Sequence, residues 1–88
     1  MLSTLSDEDI LLKISNRLKQ IRKETGMSQD EAAKKSGISR YTLSNIENGK
    51  PFNIDTFIRL LRVYGMLSLL DGLDKEPIRS IKDKFRDQ

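Results

Sequence analysis

Arg40, Tyr41, Ser44, Asn45 and Asn48 recur at i, i+1, i+4, i+5 and i+8. On a helix this spacing collects them into one stripe. Their side chains offer a guanidinium fork, two carboxamides and two hydroxyls, all of them hydrogen-bond donors. No carboxylate falls on the stripe, whereas a merely solvated face usually mixes in Asp or Glu. The chemistry is recognition of a surface rich in acceptors. Leu43 and Ile46 lie three apart on the opposite side and supply an apolar back.

Composition excludes most alternatives to binding chemistry. The 88 residues contain no Cys and no His. Disulfides, thiolate zinc sites and the common nucleophile–base pairs are therefore missing, and no metal or cofactor is expected. With no Gly-rich phosphate loop either, an enzyme is not expected. No apolar run approaches membrane-spanning length, and the start at Met1-Leu2-Ser3 lacks the basic and apolar regions of a signal peptide. The expectation is a soluble cytoplasmic protein. The net charge is only +3, but residues 13–50 carry nine Lys/Arg against four Asp/Glu. That concentration surrounds the donor stripe, as a polyanion-binding surface requires.

The elements that must position the stripe announce themselves by their ends. Ser6 followed by Asp7, Glu8 and Asp9 starts a helix over residues 7–25, with Ile10, Leu11, Ile14, Leu18 and Ile21 at helical spacing and Gly26 as its stop. Ser28 and Glu31 form a capping box that opens a second helix. Gly37 permits a sharp turn at positive φ. Ser39 then caps the third helix, which Gly49 ends. Asn53 caps a fourth helix, with Phe52 and Phe57 at the staple positions and Ile54, Phe57, Ile58, Leu61 and Tyr64 along its apolar side. After Gly65, the run Met66, Leu67, Leu69, Leu70, Leu73 predicts a short fifth helix stopped near Gly72. The apolar residues of helices four and five exceed the needs of one small core, which predicts a homodimer surface there. A chain of this length buries only about 60–65% of its unfolded surface, so a second copy would add stability. Residues 1–73 form one domain, and residues 74–88 are a tail or a last helix with Ile78, Ile81 and Phe85 on one side.

Gln29, Ala33, Gly37, Leu43, Ile46 and the run Glu47-Asn48-Gly49-Lys50 resemble the helix-turn-helix of the lambda-repressor/Cro-like (XRE-type) transcriptional regulators. The resemblance covers roughly Leu18 to Leu70, with Ser-Gln, Gly-Ile-Ser and Glu-Asn-Gly-Lys as its most specific parts. Ala32 and Ser36 depart from it, standing where aliphatic residues are usual. It implies an all-α, five-helix domain with a central helix-turn-helix over residues 28–48. It also implies a partly buried Arg22–Glu47 bridge tying helix one to helix three. The expected function is sequence-specific binding of double-stranded DNA at a palindromic operator, most simply as a repressor, with helix 39–48 in the major groove. Arg40, Tyr41, Ser44 and Asn45 are then the base contacts, with Arg40 suited to guanine and Asn45 to adenine. Gln29, Ser39, Thr42, Asn48 and Lys50 are the phosphate contacts, although Thr42 could instead face helix one. Lys34, Lys35 and Arg17 are secondary. Arg22, Glu47, Gly37 and Gly49 are structural.

Two other functions fit the same residues. Regulators of this class include antitoxins that repress their own operon, and the architecture is similar to that of the antitoxins partnering a HipA-type kinase. Residues 65–88 would then hold the toxin protein. The other is a protein-interaction module without DNA binding, which carboxylates on the outer stripe would have favoured.

Overall fold

The computed structural model describes residues 1–74, and within them every regular element is helical. Four α-helices follow a short 3₁₀ turn: α1 (Asp7–Glu24), α2 (Gln29–Ser36), α3 (Arg40–Glu47) and α4 (Ile54–Val63). A 3₁₀ helix, Leu67–Asp74, comes last. The expected tail or helix at residues 75–88, with Ile78, Ile81 and Phe85, lies outside the described residues.

Three helix starts use a serine in the same way. Ser6 Oγ accepts from the Asp9 amide at 3.1 Å, Ser28 Oγ from Glu31 at 3.1 Å and Ser39 Oγ from Thr42 at 3.0 Å. Glu31 also accepts from the Ser28 amide at 3.1 Å, closing the capping box. Those bonds hold the Glu31 carboxyl below its ordinary range, the backbone donor acting most strongly. Asn53 occupies the fourth start but makes no side-chain cap bond. There the apolar staple remains: the Phe52 and Phe57 rings meet edge-on at 5.9 Å.

Two glycines set the angles around α3. At Gly37 (φ +73°) the Ile38 amide returns to the Ala33 carbonyl at 3.0 Å, which reverses the chain between α2 and α3. At Gly49 (φ +90°) the Lys50 amide returns to Asn45 at 3.0 Å. A Cβ at Gly49 would also stand 2.5 Å from Leu12 Cδ2, so α1 leans on this turn.

The core is Leu18, Ile21, Ala32, Ala33, Leu43, Ile46, Leu60, Leu61 and Tyr64. α2 packs on α3 and α4, and α1 packs on α3. Ala32 and Ser36 are both buried, and the Ser36 hydroxyl donates to the Ala32 carbonyl at 2.6 Å, which satisfies it inside the helix.

The last element differs from expectation in two respects. It is 3₁₀, and it continues past Gly72 to Asp74, because Gly72 does not adopt the positive φ that would reverse the chain. The surplus of apolar surface is also distributed differently. Leu60 and Leu61 are wholly consumed by the core, at 0% exposure. Ile14, Ile54, Leu69 and Leu73 are among the exposed large hydrophobics, together with Met1, Leu2, Leu12 and Tyr41, so the uncovered apolar positions extend beyond α4 and the 3₁₀ helix to the N-terminal turn, α1 and α3.

Candidate nucleic-acid interface

α3 stands on its apolar back. Leu43 and Ile46 are 0% and 1% exposed, and Arg40, Tyr41, Asn48 and Lys50 are exposed on the other side. Ser44 and Asn45 are half-buried at the margin. Thr42, Asn45 and Lys50 line a groove of about 390 Å³ with Ile46, Pro51, Phe52, Asn53 and Thr56. Thr42 therefore faces the start of α4 and not α1. Asn53 and Thr56 join the wall through the fold alone, and the sequence carried no sign of them beyond proximity to a cap.

Behind α3 lies the brace that the resemblance implied. Arg22 Nε donates to Glu47 Oε2 at 2.7 Å and Nη2 to Oε1 at 3.0 Å, a bidentate pair. Arg22 Nη1 also donates to the Met27 carbonyl at 2.9 Å. Gln29 Nε2 donates to Glu47 Oε1 at 3.0 Å. One carboxylate thus joins α1, α2 and α3, and the guanidinium also holds the loop between the first two. Burial alone would push Glu47 up, but the donors on Arg22 and Gln29 and the Arg22 charge outweigh it and hold the carboxyl below its ordinary range. The same hydrogen bonds raise Arg22 against the opposing effect of burial. Tyr64, buried beside them, is pushed up to about 12, chiefly by burial and then by the Glu47 charge.

Two expected phosphate ligands are partly engaged inside the molecule. The Gln29 carboxamide turns inward to Glu47, so one of its two amide protons is committed and the other stays free. Ser39 accepts from the Thr42 amide and donates its hydroxyl proton to Thr42 Oγ1 at 2.9 Å. That leaves the Thr42 hydroxyl proton as the outward donor of the pair. The Gln29 contact spans 18 positions and lies beyond local sequence reasoning, whereas the Ser39–Thr42 contact is the local cap three residues on.

One contact crosses the outer surface. Asp30, in the first turn of α2, places Oδ1 3.6 Å from Arg40 Nε, with the two side chains 74% and 66% exposed. Ten positions separate the two residues, and only the turn at Gly37 brings them together.

Similarity to known proteins follows this architecture. A family model described as Helix-turn-helix matches residues 18–71. Antitoxin HipB of Escherichia coli K12 is 35% identical over 68 residues, covering 74% of this chain and 76% of that protein. HTH-type transcriptional regulator PuuR of the same strain is 41% identical over 63 residues, covering 70% of this chain but only 33% of that longer protein. Among the described residues, no helix is long and apolar enough to cross a membrane. With a capped helix pair turned at Gly37, a donor face directed outward and this likeness along most of its length, the chain belongs to the helix-turn-helix family and is a DNA-binding transcriptional regulator of the lambda-repressor/Cro-like type.

Proposed function

We propose that the protein is a sequence-specific repressor that binds a two-fold symmetric operator as a homodimer, in the cytoplasm and without catalytic activity. The observation that carries this reading is the division of α3: Leu43 and Ile46 are sealed in the core while Arg40 and Tyr41 stand in solvent. Such a helix fits the major groove with its N-terminal residues nearest the bases. Arg40 forks onto guanine N7 and O6, Asn45 pairs with adenine, and Tyr41 and Ser44 make the remaining base contacts. The free proton of Gln29, the Thr42 hydroxyl, Asn48 and Lys50 meet phosphates and fix register, with Ser39 holding Thr42 in place. The exposed apolar residues Ile14, Ile54, Leu69 and Leu73 supply the surface for the second copy. A footprint on the DNA upstream of its own gene, with the protein's mass measured in solution, tests this. Two protected half-sites about 34 Å apart and a dimeric mass are expected. A monomer with no protected site would reject it.

A second reading is favoured by the likeness to an antitoxin across 76% of that protein's length. Here the same DNA binding represses the protein's own operon, and residues 65–88 hold a partner toxin. Co-purification with the product of an adjacent gene distinguishes the two.

A further inference from the structure

We infer that Asp30 is a positioning residue for Arg40 and thereby sets base preference at the start of α3, an inference that rests on Arg40 being a base contact. Asp30 lies beside the capping box but takes no part in it, since Ser28 and Glu31 complete that box between themselves. Its one ion-pair partner among the described residues is Arg40, approached from the Nε side at 3.6 Å. A carboxylate on that edge leaves Nη1 and Nη2 free, and those two donors match guanine N7 and O6.

The carboxylate has a second effect. A lone arginine at a DNA surface settles on any phosphate, which adds affinity without sequence information. Asp30 offsets the Arg40 charge locally and repels the phosphate that would compete for it. The pair therefore adds little to binding of random DNA, and Arg40 contributes mainly where a guanine accepts both free donors. In water such an exposed pair is weak. Against a duplex, with water displaced, the same geometry is electrostatically stronger and holds the fork in place.

The test uses the full 88-residue chain and a pool of randomised duplex DNA, from which bound molecules are sequenced at several salt concentrations. Asp30→Asn is expected to lower the preference at the Arg40 base position about tenfold, within the range typical of a good bidentate contact. It should also strengthen binding of random duplex and steepen the salt slope by about one. Asp30→Glu, which keeps the charge, should restore part of the preference. Arg40→Ala should abolish the preference, and Asp30→Asn should change it no further in that background. An unchanged base preference in Asp30→Asn, with Arg40→Ala still losing it, overturns the positioning role alone. An equal effect of Asp30→Asn with or without Arg40 means that Asp30 acts independently, which also overturns it. No effect of Arg40→Ala on any base position removes the underlying base contact, and the inference with it.

Discussion

Two arginine–carboxylate pairs lie on opposite sides of α3, and they have little in common beyond their chemistry. Arg22 and Glu47 are 8% and 5% exposed, bidentate, and joined by Gln29 and the Met27 carbonyl. Arg40 and Asp30 meet at 3.6 Å through one nitrogen, with both side chains mostly in solvent. In the inner pair each guanidinium nitrogen has a partner and both carboxylate oxygens accept, so the pair fixes orientation. The outer pair is loose and leaves Nη1 and Nη2 unused, which suits the proposed role of offering them to a base while Asp30 stays on the Nε edge. Environment makes one arginine a brace and leaves the other exposed, as the proposed base contact requires.

The comparison can be broken most severely from the inside. Glu47→Ala leaves the Arg22 guanidinium buried without its anion and should cost about 3–5 kcal/mol of stability, measured by thermal or urea unfolding. A loss near zero would mean that water reaches Arg22 freely. Acid should act on the same pair. Glu47 is held below its unfolded value, so its contribution is fully present above the ordinary carboxylate range, near pH 4.3, and is lost as pH falls through the lowered value. Glu47→Gln should flatten the acid limb of the stability profile, whereas an unchanged limb would assign acid sensitivity to other carboxylates such as Glu31.

On the outer side the losses should appear in binding instead of folding. Asn45→Ala should cost about 1–3 kcal/mol at one base position and relax preference there, read from binding to a panel of single-base operator variants. Equal losses on specific and random duplex would argue for a phosphate contact. Lys50→Ala should weaken all duplexes evenly and lower the salt slope by about one. The smallest effect belongs to the outer pair itself: Asp30→Asn should change unfolding stability by at most about 0.5 kcal/mol, as is usual for exposed ion pairs. A much larger change would mean that the pair supports the fold.

Much of this architecture was legible because it is local. Ser6, Ser28 and Ser39 each cap with an amide three residues on, and Gly37 and Gly49 mark the chain reversals. The same reasoning overreached at Asn53, whose type suits a cap but whose side chain makes no cap bond. It also overreached at Gly72, which lacks the backbone geometry of a stop. The Arg22–Glu47 pair was legible only by resemblance, since 25 positions separate its members.

By itself the sequence determined the four α-helices, where they start and stop, and the division of α3 into an apolar back and a donor face, because caps, turns and periodicity act over a few residues. Tertiary structure decided which donors remain available. It turned Gln29 inward to Glu47, brought Asp30 to Arg40, set Thr42 against the start of α4 and consumed Leu60 and Leu61 in the core. Those outcomes depend on how helices distant in sequence come to face one another, and no spacing within a single helix encodes that.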